Sequence, residues 1–184
     1  MKKLLFIIIA TYSGILNAQT VPLEFIAQCQ VNPTHCVESY NYVKDVNNLL
    51  NKYVGTWKGT LDGKNYEFNF TKKENMERGL SGIKWDRLIG RLKITNQNGT
   101  IEFDNFNKPN LGDNFQPDLK AYLMNFVGEK SECIDYGNIY LRIKSETPNQ
   151  MSINFWPDRD IVTQDCSNFK TTLPVNKNIH LTKQ

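Results

Sequence analysis

A chain of 184 residues with 40% hydrophobic side chains can bury one core and is too short for several. Its net charge of +3 is partly an N-terminal effect, because without residues 1–18, which carry Lys2 and Lys3, basic and acidic side chains nearly balance. No nucleic-acid partner is therefore expected, since that needs a concentrated basic surface.

Residues 1–18, MKKLLFIIIATYSGILNA, place two lysines before a short apolar run and then small and polar residues. This is the pattern of a secretory signal peptide, with the cut expected after Ala18. The run is too short to cross a bilayer, so no membrane span is expected. Export to the periplasm or the extracellular space is the consequence, and no cysteine stands after the cut to carry a lipid.

Residues 19–52 form a leading segment. Val43, Val46, Leu49, Leu50 and Tyr53 recur at helical spacing and predict a short helix that closes one end of the domain beyond it. Residues 53–184 read as one antiparallel domain. In YVGTWKGTLDGKNYEFNF, Asp62 and Gly63 are a strong two-residue turn signal. With that turn, Trp57 faces Phe68, Gly59 faces Tyr66 and Gly55 faces Phe70 on one side, and polar residues fill the other. Each glycine is then expected to leave room for the aromatic ring opposite.

Asn98 and Gly99 predict a second hairpin, with Ile94 opposite Phe103 inside and Lys93 opposite Asp104 and Thr95 opposite Glu102 outside. A three-residue loop over Thr147, Pro148 and Asn149 predicts a third, setting Ile143 against Ile153 and Leu141 against Phe155. Strands are expected at 53–61, 64–73, 85–96, 100–106, 119–127, 138–146, 150–157 and 178–183. Eight strands joined by hairpins can close into an all-β up-and-down barrel. The polar stretches NKPNLGDNFQPD and RDIVTQDCSNFKTTLPVNK are expected as rim loops.

The four cysteines, Cys29, Cys36, Cys133 and Cys166, all lie beyond the signal peptide, and an even count in an exported chain predicts disulfides. Three pairings are possible. Position favours Cys29 with Cys36, ahead of the barrel, and Cys133 with Cys166, in late loops; such loops contribute roughly 2.5 and 3.8 kcal/mol on the chain-entropy model. The spacing is not that of a zinc ligand set, so no metal and no cofactor are expected.

Gly55, Thr56 and Trp57 form a GxW triplet that opens the first strand and resembles the lipocalin and calycin group. Taken with NNLLNKYVGTWKGTLDGK, DRLIGRLKI, the late cysteine pair and the ending IHLTKQ, nearly the whole chain resembles a family of secreted Bacteroidota proteins known as a domain of unknown function. The resemblance implies a lipocalin-like barrel. It also implies that Trp57 packs at the closed end under a basic side chain from the last strand, here Lys183. Gly55, Gly59 and Trp57 are thus expected to be structural.

An eight-stranded barrel is either filled by its own side chains or holds one small ligand. Tyr66, Phe68, Phe70, Phe103, Leu141 and Phe155 are the residues expected to line such a cavity, with plain core as the simpler reading for each. Catalytic groups are sparse. His35 and His180 are the two imidazoles, and His180 alternates outward from Ile179 and Leu181. Asp158 and Asp160 flank Arg159 as a conceivable carboxylate pair, for which a charged turn is the simpler account. Tyr140 and Trp156 are expected together on the outer face. The chain reads as a noncatalytic, exported barrel that binds a small apolar or amphipathic molecule. The alternative is a protein-binding module, such as an inhibitor of a secreted hydrolase, acting through residues 19–45 and the rim loops.

Overall fold

The computed structural model describes residues 19–37, 39–158, 166 and 168–184, so the expected signal peptide lies outside the described residues. Asp62 and Gly63, at φ 52° and 75°, make the turn between β3 (Gly55–Leu61) and β4 (Lys64–Glu77). That turn sets the register: Trp57 faces Phe68, Gly59 faces Tyr66 and Gly55 faces Phe70. On the outer face Lys58 and Glu67 pair at 3.0 Å. β4 runs past its expected end at 73 through a bulge at Asn75, which takes φ 59°.

β5 (Lys84–Asn96) and β6 (Ile101–Asp104) set Ile94 against Phe103 and Lys93 against Asp104, as expected. Thr95, however, faces Ile101 and not Glu102. The Asn96 side chain explains the slip, because its Oδ1 accepts from the N–H groups of Asn98 and Thr100, at 3.0 and 2.9 Å, and draws the turn inward.

The stretch expected as a rim loop contains a strand, β7 (Asn110–Phe115). Its polar residues carry weak strand preference. It forms because it completes ladders on both sides, to β5 and to β8 (Tyr122–Val127). β6 and β7 lie in succession along the same edge of β5 and together fill the place expected of one strand.

β9 (Tyr136–Ile143) and β10 (Gln150–Pro157) pair with Met151 opposite Ile143, Ile153 opposite Leu141 and Phe155 opposite Ile139. The expected register was two residues away. Two turns in series, Thr147 N–H to the Lys144 carbonyl and Gln150 N–H to the Thr147 carbonyl, take up 144–149 instead of three residues. A shift of two preserves the faces, so the inward set is unchanged. β11 (Asn178–Lys183) then pairs with β10 and with β3, Lys183 opposite Trp57. With the β5 and β7 ladder the ring is complete, an eight-strand antiparallel up-and-down barrel.

The leading segment is organised differently from the expectation. No helix forms over Val43–Tyr53: Val43 lies in β2 (Tyr42–Lys44), Val46 is 46% exposed, and Asn51–Tyr53 is a single 3₁₀ turn. Asp45 is the physical reason. Its buried carboxylate accepts the N–H groups of Leu49 and Leu50, at 2.7 and 3.1 Å, which a helix would give to its own carbonyls. The one α-helix among the described residues, α1 (Leu23–Cys29), lies earlier and buries Leu23 and Ala27. It joins β1 (Thr20–Pro22) to the rest, and β1 runs parallel to β2, which runs parallel to the start of β5. Leu50 and Tyr53 still close the end where β3 begins, Tyr53 packing at a tilt against Phe115 and Tyr122. The disulfides are Cys29–Cys36 and Cys133–Cys166, with Cα separations of 5.3 and 5.5 Å.

Three buried aspartates tie irregular backbone to the barrel. Asp86 accepts from the Tyr42 hydroxyl, the Asp45 N–H and the Asn75 N–H, joining the leading segment to the β4 bulge. Asp45 also meets Lys72 at 2.9 Å. Asp135 accepts from both the N–H and the hydroxyl of Thr172.

A methyl group at Gly59 would fall inside the His180 carbonyl oxygen of β11, a backbone atom that cannot swing away. Gly59→Ala is expected to destabilise the protein by about 3 kcal/mol, read as a lower urea midpoint. Burial raises the phenols of Tyr42, Tyr53 and Tyr122, with the Asp86 carboxylate adding to the effect at Tyr42. A raised folded-state value means stability that is complete below the unfolded phenol value of about 10 and is lost as pH rises through the folded values. Phenolate absorbance from these three is therefore expected to appear together with loss of far-ultraviolet dichroism in an alkaline titration, not ahead of it.

Candidate functional site

The lumen is closed. Tyr66, Phe68, Phe70, Phe103, Leu141 and Phe155, the residues expected to line a ligand cavity, are each between 0 and 8% exposed. A chamber large enough for a ligand would leave its lining open to a sphere the size of water. Instead Phe68 stacks on Phe70 at 5.8 Å, and Phe126 bridges Phe103 and Phe155 at 5.9 and 5.4 Å. Trp57 donates its indole N–H to the Tyr53 carbonyl at 2.7 Å, and Lys183 lies over its ring at 5.3 Å. Gly55, at φ +125°, is the residue that lets the Lys183 stem pass, since a Cβ there would sit 3.1 Å from Cε. The room for Phe70 is made by Gly90 on β5 and not by the glycine opposite on β3, and the room at Gly59 is taken by β11.

The space lies in the wall. An open cleft of about 680 Å³ separates β6 from β8, bounded by Phe103 and Asp104 on one side, Asn125 and Val127 on the other, and Asn105 with residues 107–111 across one end. It exists because the strand opposite β8 is broken. Asp104 turns the chain by accepting the Phe106 N–H at 2.9 Å, Lys108 N–H closes onto the Asn105 carbonyl, and Pro109 has no N–H to extend a ladder.

Asn105 substitutes for the missing strand. Its N–H donates to the Leu92 carbonyl at 3.1 Å and its Oδ1 accepts the Leu92 N–H at 2.7 Å, so one residue serves both backbone groups that β5 presents at the break. The amide is thereby fixed in orientation, and Nδ2 is left buried with no partner. Asn105 is 7% exposed. Among the described residues one other buried side-chain polar atom lacks a partner, Glu24 Oε2 on α1, outside this cleft. Asn110 spends its Oδ1 on the Val127 N–H at 3.3 Å. The apolar walls are open, with Val127 56% and Leu111 38% exposed.

A second depression, of about 540 Å³, lies over the β9–β10 turn and is lined by Arg142, Lys144, Glu146 and His180. Its charges are of both signs, and its lining includes neither of the two unpartnered buried atoms. His180 points outward on β11, and Asp158 N–H donates to the Tyr136 carbonyl beyond the end of β10. Arg159 and Asp160 lie outside the described residues, as does the side chain of His35. Among the described residues no group of three or more His, Cys, Asp or Glu could hold a metal ion.

Residues 1–160 match a family of unknown function, DUF6705. The chain belongs to this family. No curated protein and no solved structure matches it. For this DUF6705 member the sequence directed attention to the inward aromatic residues. The cleft escaped because its decisive residues, Asn105 and Asn110, read as loop asparagines, and only the NKPN turn signal marked the break.

Asn105→Ala removes the side-chain acceptor from the Leu92 N–H and is expected to destabilise the protein by about 1–3 kcal/mol. Amide exchange at Leu92, measured by NMR, should accelerate more than exchange at Ile153 on β10, across the barrel.

Proposed function

We propose that the protein is an exported, noncatalytic, lipocalin-like barrel that binds a small amphipathic molecule, and that it does so in the wall cleft between β6 and β8 and not in its lumen. One observation carries this reading: the lumen is packed solid, while a cleft of ligand size, with apolar walls and an unpartnered amide, opens beside it. Export is supported by the N-terminal pattern and by two disulfides, which persist in oxidising compartments.

The protein-binding alternative through residues 19–45 is weakened by the packing of that segment. Val21, Leu23, Ala27 and Val43 belong to the core, so the segment is part of the fold and not a free arm. A protein partner would find a better foothold on the outer face, where Tyr140 and Trp156 lie 6.0 Å apart and Trp156 is 64% exposed.

Titration with a neutral dansyl-labelled alkyl amide separates the sites. Saturable binding is expected for the wild type, about tenfold weaker for Val127→Asp and unchanged for Trp156→Ala. An affinity unchanged by Val127→Asp, or no saturation of the wild type, would overturn the cleft reading.

A further inference from the structure

The cleft's polar groups restrict what its ligand can be. Asn105 and Asn110, 7% and 6% exposed, have both committed their amide oxygens to backbone N–H groups, of Leu92 and Val127. What they leave for a ligand is NH₂ donors, and Asn105 Nδ2 is a buried donor with nothing to receive it. Leaving such a group unmatched is costly, so a ligand that brings an acceptor oxygen to it recovers that cost. Around these inner amides stand Asn107 and Asn125, exposed and able both to donate and to accept. The two ionised side chains of the lining, Asp104 and Lys108, are opposite in sign and exposed at the rim.

A cation finds no free acceptor at the inner amides. An anion would be drawn from water to neutral donors, with the rim charges of Asp104 and Lys108 offsetting each other, which does not repay desolvation of a full charge. A hydrocarbon chain alone suits Phe103, Leu111 and Val127 and leaves the amides unmatched. Hydroxyl groups fit, because each oxygen can accept from an inner amide while its proton goes to a neighbouring amide oxygen, and the C–H face of a sugar ring lies well against apolar walls.

Resting on the wall-cleft reading, we infer that the polar part of the ligand is a neutral saccharide unit, held by Asn105 Nδ2 at the floor and by Asn125 at the side, with its apolar part along Leu111 and Val127. The same chemistry is found in a free sugar and in the headgroup of a glycolipid.

Three amphiphiles of one chain length, octyl glucoside, octyl sulfate and octyltrimethylammonium, each below its micelle concentration, test the assignment against the full mature chain, with methyl glucoside as a fourth arm. The readouts are calorimetric affinity and the side-chain NH₂ resonances of the asparagines by NMR. Octyl glucoside is expected to bind at least about tenfold tighter than either charged amphiphile and to shift the Asn105 and Asn125 NH₂ signals. Methyl glucoside binding within about tenfold of the octyl form would assign the site to free sugars, and weaker binding to glycolipid-like ligands. Asn105→Asp keeps the acceptor for Leu92 and removes the donor, and is expected to abolish the preference for the glucoside. Because Asn105→Asp also buries a carboxyl group, Asn125→Ala at an exposed position provides the independent variant, with about tenfold weaker glucoside binding expected. Equal or tighter binding of a charged amphiphile at the cleft, or glucoside binding indifferent to Asn125→Ala, would overturn the saccharide assignment and leave the cleft reading standing. No binding of any arm, with no shift at residues 103–128, would overturn both.

Discussion

Closure of this barrel depends on one edge of β5. That edge must be covered along its length, yet the chain that covers it is broken between Asp104 and Asn110. On one side of the break the ladder runs to β6, on the other to β7, where two residue pairs, Ile89 with Leu111 and Gly90 with Asn110, hold the seam. At the break itself a bare backbone N–H and C=O on Leu92 would be exposed next to the aromatic interior. Asn105 takes both. Further along, the Arg87 Nε donates to the Gly112 carbonyl at 2.6 Å and the Tyr122 hydroxyl receives the Leu88 N–H, so side chains continue the seam where paired strand ends. Without these groups the eight strands would be an open sheet with two unmatched edges, and the packed lumen would lose its wall.

The same device recurs wherever the backbone is irregular. Asp86, Asp45 and Asp135 are buried carboxylates, and each accepts from N–H groups of segments that lie outside the regular ladders. The alternation of strands places the rings, while short polar side chains, buried and saturated with donors, hold the connections. This division explains why the leading segment could become part of the core without a long helix: β1, β2 and α1 are pinned to β5 by Asp86 and filled in by Leu23, Ala27 and Val43.

Period and turn chemistry made the first hairpin legible to the residue, because Asp62 and Gly63 admit one register and that register fixes which rings face inward. The third hairpin was legible in its faces and not in its register, since Thr147, Pro148 and Asn149 carry no such demand and the series of turns absorbed three further residues. β7 was hidden by its composition: Asn110, Gly112, Asp113 and Asn114 are held in a strand by neighbours that sequence spacing does not reveal. The helical spacing of Val43 to Tyr53 misled for a related reason, as one buried carboxylate, Asp45, redirected the N–H groups a helix requires. The cleft belongs with these cases. It is defined by where pairing stops, and hydrophobic periodicity reports only where pairing continues.

The chemistry of Asn105 links the seam to the site. A carboxylate at that position could accept the Leu92 N–H equally well, and the backbone N–H would still reach the Leu92 carbonyl, so the ladder requirement alone does not distinguish Asn from Asp. The two differ in the atom left over: Asp would bury a charge, whereas Asn buries a neutral donor without a partner. Desolvating a charge is the larger cost, and the amide is thus the cheaper way to complete the seam, with a residual demand for an acceptor oxygen. That demand is local and small beside the energy of the packed lumen. A ligand meeting it would therefore add to a barrel that is already folded, and changes at Asn125 or Val127, both exposed, would leave the core closed.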